Sequence, residues 1–260
     1  MAYETLLYET EGEVGVLTLN RPKVINAINR RMSEELTDFW LQRHGDFDTR
    51  VIIIRGAGEK GFCSGVDLKA TSTEFMGEGG MPTPESVLNG QNSYSNIIRM
   101  MRTCPQPVIA AVHGPSMGAG MSFALAADIR LASEDAFFNA QYINIGVGGA
   151  DMGSSYFLWR LVGWGRAAEM CLTGDRVPAD EAHRIGLVNH VYSREELFGQ
   201  AMAMATNMCT KGKLALRMTK DALNSALNAP SLEDVTRMED RNQAFIMVNM
   251  LNEGAKGLGG

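Results

Sequence analysis

Between Val108 and Asp128 the chain reads VIAAVHGPSMGAGMSFALAAD, and few folds can accept it. The five apolar residues Val108 to Val112 ask for burial on both faces, as a central strand provides. The run breaks at Gly114-Pro115 and resumes as a helix of small residues, with Phe123, Leu125 and Ala126 available for packing. Gly118, Ala119 and Gly120 fall where that helix should start. Glycine there lets backbone come close to a ligand, and the first N–H groups of a helix have no partner inside it. A strand feeding such a helix start suits an anionic oxygen. Many α/β proteins use the same turn for close packing alone.

At 260 residues the chain has room for one large domain with a helical appendage. Its net charge of −6, with no basic cluster denser than Asn29-Arg30-Arg31, argues against a nucleic-acid partner. No stretch approaches the ~20 apolar residues of a membrane-spanning helix. The N-terminus carries Glu4, Glu9 and Glu11 rather than a signal peptide. Cys63, Cys104, Cys171 and Cys209 lack metal-ligand spacing and read as reduced, packed thiols of a cytoplasmic protein.

Periodicity predicts strands at Val14–Leu19, Val51–Ile54, Ile129–Ala132 and Leu187–Val191. Helices are expected over Asn29–Arg43, near Tyr94–Met101, around Tyr156–Val162, and near Ala167–Leu172 and Ala179–Ile185. Residues 71–90, polar and rich in glycine and proline, read as a mobile segment over a site. From Arg194 the pattern is wholly helical. This divides the chain into a β/α core, 1–193, and a helical C-terminal part, 194–260, with a frayed end.

Two glycine turns follow apolar strands: Phe62-Cys63-Ser64-Gly65-Val66-Asp67 and Gly118-Ala119-Gly120. Parallel strands set their C-terminal ends side by side, so both turns can face one crevice. Two backbone N–H groups converging there would hold a carbonyl oxygen as it gains enolate charge. No P-loop, serine elbow or zinc motif competes with that reading.

FCSGVDL at 62–68 and QPVIAAVHGPSMGAGMSFALAADIRLASEDAFF at 106–138 resemble the crotonase (enoyl-CoA hydratase/isomerase) superfamily, as do LNRPKVINAIN at 19–29 and TGDRVPADEAHRIGLVNHV at 173–191. The resemblance covers about residues 3–250 in order and spacing. It implies an α/β fold, a crotonase-like β/α spiral core of the ClpP/crotonase type with a helical C-terminal part that builds trimers, often paired as hexamers. It implies an acyl-CoA substrate, with coenzyme A part of that substrate and no separate cofactor or metal. Val66 and Ala119 would supply the oxyanion N–H groups. Lys23 and Val24 fall where the family meets the CoA nucleotide, and Ser64, Asp67 and Leu68 where it meets adenine and pantetheine. Lys69 could steer phosphates or be an ordinary solvated lysine.

Hydratases of this family use two glutamates, and this chain has Ser122 and Tyr142 at those places. A hydroxyl and a phenol are poor bases near neutral pH. One acid remains nearby, Asp151, 12 positions before Gly163. That offset is similar to the one for the aspartate of dienoyl-CoA isomerases, a proton carrier, and of an aryl-CoA dehalogenase, a nucleophile. The plainer alternative is that Asp151 caps a helix starting at Met152–Ser155. Burial would raise a catalytic carboxyl toward the useful range. Tyr142 is read as a packed tyrosine that could bond the carboxylate or act as a weak acid, Ser122 as a pocket residue on the helix surface, and His113 as a structural histidine.

The leading expectation is an isomerase that shifts a double bond through an enolate, with Asp151 as acid and base. Behind it stand a hydratase with non-standard acids and an Asp151-dependent hydrolase or dehalogenase. A silent acyl-CoA binder ranks lower. An RNA binder ranks low as well, because Glu34, Glu35 and Asp38 share the first helix with its arginines. The C-terminus lacks a basic cluster that could clamp the CoA 3′-phosphate, and acyl identity is not legible.

Overall fold

Runs such as Val51–Ile54 and Val108–Val112 cannot leave a face in water, and they become the centre of a sheet. In the computed structural model, which describes residues 3–71, 75–76 and 80–257, nine strands are seen. They are β1 (Leu6–Glu11), β2 (Val14–Leu19), β3 (Val51–Gly56), β4 (Val108–Val112), β5 (Pro115–Met117), β6 (Ile129–Ser133), β7 (Phe137–Asn139), β8 (Arg176–Pro178) and β9 (His190–Tyr192). Six form the main sheet in the order β1-β2-β3-β4-β6-β9, parallel except for β1 against β2. The other three make a small sheet, β5-β7-β8. The helices are α1 (Arg30–His44), α2 (Leu68–Thr71), α3 (Pro84–Thr103), α4 (Ala119–Ala126), α5 (Ser154–Val162), α6 (Trp164–Thr173), α7 (Ala179–Arg184), α8 (Arg194–Cys209), α9 (Lys213–Ala226) and α10 (Leu232–Gly257).

Alternation along the strands sorts the core into two layers. Ile52, Ile54, Val108, Ala110 and Val112 face α1, α3 and α4, packing with Met32, Leu36, Ile97, Met101 and Phe123. Val51, Ile53, Ile109 and Ala111 face the other way, onto Leu197, Ala201 and Ala205 of α8. Those three recur every four residues, the stripe one helix face presents. α8 therefore completes the packing of the sheet. α9 joins the same body through Lys220, buried and paired with Asp128 at 2.9 Å.

Several expectations needed correction. β1 has no apolar alternation to announce it: it is an edge strand whose Glu9 and Glu11 face solvent and whose Leu6 alone is buried. The strand expected at Leu187–Val191 pairs only over His190–Tyr192, because the amides of Leu187 and Val188 bond back to the Ala182 carbonyl in a turn. The helix expected near Tyr94–Met101 begins ten residues earlier, at Pro84. Thr83 and Ser86 form a reciprocal cap there, with proline at the first helical position. Part of the segment read as mobile is thus helical, while its residues 72–74 and 77–79 lie outside the described residues, as does the extreme end, 258–260. Among the described residues no helix is long and apolar enough to cross a membrane.

Candidate active site

β3 and β4 end side by side, and the chain leaving each makes one wall of a shared cavity. After β3 it runs to Gly65, whose φ of +97° is a glycine conformation. After β4 it passes through β5 to Gly118, with φ +51° and ψ −121°, at the N-cap of α4. The two turns are zipped together: the Cys63 amide donates to the Pro115 carbonyl at 3.1 Å, and the Met117 amide to the Cys63 carbonyl at 2.9 Å. Their closeness is visible at Gly65, where an added methyl carbon would lie 3.5 Å from the Ala119 nitrogen. Among the described residues the amides of Val66 and Ala119 have no acceptor, since Ala119 opens its helix and the backbone bonds around Val66 use Gly65 and Asp67.

Asn26 fixes the first of these turns from behind. Fully buried, its Nδ2 donates to the carbonyls of Ala57, Gly61 and Phe62, and its Oδ1 accepts from the Arg21 amide. Its φ of 53° is one asparagine tolerates better than most residues. Asn26→Ala is expected to cost about 2–3 kcal/mol by leaving those carbonyls unpaired, and to lower the melting temperature by several degrees in a thermal unfolding scan.

The cavity in front of the turns has a volume of about 310 Å³. Val66, Leu68, Ala119, Tyr142 and Asp151 reach it, together with Ser64. Lys23 and Val24, exposed in a short turn, lie beside it, the Val24 carbonyl accepting from Ser64 Oγ at 3.2 Å. The Asp67 carboxylate is engaged within the protein, by Arg21 at 2.9 Å and by the Ala70 amide. His113 faces a different cavity, with Arg55 and Arg194, and its ring bonds the Gly58 carbonyl; burial pushes its pKa down.

Tyr142 is packed, as expected, while Ser122 differs from expectation. Ser122 is fully buried behind the cavity wall rather than on a helix surface, and its hydroxyl meets the Tyr142 phenol at 2.9 Å. The phenol therefore pairs with Ser122 and not with the carboxylate. Burial drives its pKa far above the ordinary value, against the Ser122 hydrogen bond, so it stays neutral. Asp151 does not cap a helix. Its Oδ1 accepts from the Met152 amide at 2.6 Å, and α5 starts at Ser154 behind Gly153 with no side-chain cap. Met152 itself has φ 45°, unusual for its type and placed at the cavity wall.

The opposite wall carries no plain signal in the local sequence. Val87, Gln91 and Tyr94 of α3 line the cavity, with Phe75, Ile145, Val147 and Met152. Their spacing, i, i+4 and i+7, is one helix face, the signal that a polar, glycine-containing stretch concealed. Gln91 Nε2 donates to Asp151 Oδ1 at 2.5 Å.

The enoyl-CoA hydratase/isomerase family model matches residues 9–257. A protein of Mycobacterium leprae named a probable enoyl-CoA hydratase is 38% identical over 92% of this chain and 81% of its own length. The 1,2-epoxyphenylacetyl-CoA isomerase of Escherichia coli is 33% identical over 86% of this chain and 83% of its own. A Thermobifida fusca chain solved in complex with CoA superposes with a TM-score of 0.84 at 30% identity, covering 95% of each chain. With its twin glycine turns meeting at one cavity and a family match across nearly its whole length, the chain belongs to the enoyl-CoA hydratase/isomerase family and has the crotonase fold.

Proposed function

We propose that this enzyme shifts a double bond in an acyl-CoA thioester through an enolate. One observation carries the reading: Asp151 is the one charged side chain among the described residues lining the cavity that also receives Val66 and Ala119. The thioester oxygen would accept from the Val66 and Ala119 amides, which are fixed in place and need no reorganisation as charge develops. The Asp151 carboxylate takes a proton from the carbon next to the unsaturation, and the electron pair passes to the oxygen as the dienolate. The carboxylic acid so formed exchanges its proton with solvent and protonates the other end of the conjugated system, and the enzyme ends as it began. Bound CoA would lie past Ser64 and Leu68 toward Lys23 and Val24, leaving through the exposed rim.

The relatives named hydratase favour a second reading, addition of water to a 2-enoyl ester. Hydration needs water activated on one side and a proton delivered on the other, and the cavity offers one carboxylate beside a phenol held neutral by burial. The two readings move ultraviolet absorbance oppositely. A 3-enoyl-CoA ester should gain the absorbance of a conjugated thioester on addition of the enzyme. Loss of absorbance from a 2-enoyl ester, with no gain from the 3-enoyl one, would overturn the proposal.

We further propose that the chain assembles as trimers or paired trimers, the assembly implied by the sequence resemblance. Phe245, Val248 and Leu251 of α10 and Trp164 of α6 are well exposed, Trp164 at 77%. Sedimentation is expected to give three or six chains, and a stable monomer would contradict this.

A further inference from the structure

We infer that Gln91 is the positioning residue for Asp151, holding Oδ1 as an anchored oxygen so that Oδ2 alone exchanges the proton. The inference rests on Asp151 being the proton carrier proposed above. Both donors that reach the carboxylate, Gln91 Nε2 at 2.5 Å and the Met152 amide at 2.6 Å, converge on Oδ1. Among the described residues Oδ2 accepts nothing. Two donors from opposite walls, one on α3 and one on the backbone turn before α5, fix the plane of the carboxyl group as one donor could not. Met152 also lies in the left-handed region, so local backbone strain accompanies the arrangement.

The residue type matters. A lysine or arginine at 91 would pin the carboxylate in an ion pair and weaken it as a base. A glutamate would compete for its proton. The glutamine amide donates a hydrogen bond and carries no charge, so it orients the oxygen and favours the ionised form at the same time. Among the described residues the other titratable groups facing this place are phenols and a thiol: Tyr142 behind the α4 turn, Tyr94 on α3, and Cys171 of α6, which reaches it through Ser154, whose Oγ accepts from the Asp151 amide. Burial pushes both the Tyr142 phenol and the Cys171 thiol up, so neither adds a charge beside the carboxylate.

The test is steady-state kinetics of Gln91→Leu and Gln91→Glu across pH, with a 3-enoyl-CoA ester as substrate. Gln91→Leu should lower kcat about 10- to 100-fold through misplacement of the reacting oxygen, while KM changes no more than about threefold. Its acid limb in kcat/KM should move to higher pH, because the charged form has lost a donor. Gln91→Glu, almost isosteric and so a check on folding, should move that limb further, since two adjacent carboxylates then share a proton. A purely structural glutamine would lower the melting temperature and leave both the limb and kcat in place, and that result overturns the inference. If Asp151→Asn is inactive while Gln91→Leu keeps the parent kcat and profile, only this inference fails. If Asp151→Asn is fully active, the reading beneath it fails as well.

Discussion

Asp151→Asn is expected to lower kcat by about 10²–10⁴-fold, the range for loss of a positioned general acid and base, with affinity for CoA esters nearly unchanged. The substitution is close to isosteric. Its amide oxygen can still accept from Gln91 and Met152 at the place of Oδ1, so the loop and α5 keep their support. What is lost is the lone pair and charge on the other atom, and with it the ability to take a proton. Thermal unfolding should shift by no more than a few degrees. In the proposed reading, affinity rests on the Val66 and Ala119 amides and the apolar wall, which the change does not touch. A kcat within about fivefold of the parent would remove Asp151 from the chemistry, since that is far below the smallest general acid–base contribution.

Gly120→Ala attacks the same chemistry from the backbone. A methyl group on Gly120 would overlap the carbonyl of Cys63 and press on its Cβ, and a backbone carbonyl cannot swing away as a side chain can. That carbonyl accepts from the Met117 amide, one of the bonds that zips the two donor turns together. Relieving the overlap means separating the turns, and separating them spoils the convergence of the Val66 and Ala119 amides. The overpacking should cost about 1–3 kcal/mol, several degrees in melting temperature. The loss of aligned donors should cost about 10²–10³-fold in kcat, the effect of removing one such donor. Stability and catalysis fall together here, whereas in Asp151→Asn only catalysis falls. A Gly120→Ala enzyme with parent melting temperature and kcat would show that the turns do not need this contact.

The legible parts of the chain were those where local chemistry and global burial agree. Val108–Val112 and Val51–Ile54 read as buried central strands, and Gly118-Ala119-Gly120 between strand and small-residue helix as a turn for close packing or for a ligand oxygen. The two glycine turns are legible there, while the oxyanion role of the Val66 and Ala119 amides is what the family resemblance implies. β1 was hidden because an edge strand needs no apolar alternation and carries glutamates to protect its open side. Half of α3 was hidden because its cavity-facing residues, Val87, Gln91 and Tyr94, are separated by asparagine, serine and glycine. The Ser122–Tyr142 pair and the Asn26 clasp join residues 20 to 36 positions apart, and no local period reports such contacts. Asp151 stands out by elimination and resemblance, yet Gln91, one of the two donors to its carboxylate, lies on a helix 60 residues earlier in the chain.

The most direct test of the central claim is mass spectrometry of 2-enoyl-, 3-enoyl- and 3,5-dienoyl-CoA esters after incubation with the enzyme in deuterated water. Enolate chemistry at Asp151 predicts an unchanged carbon skeleton, deuterium taken up from solvent, a shifted double bond, and no exchange in Asp151→Asn. A product heavier by one water, or release of free CoA, would contradict it.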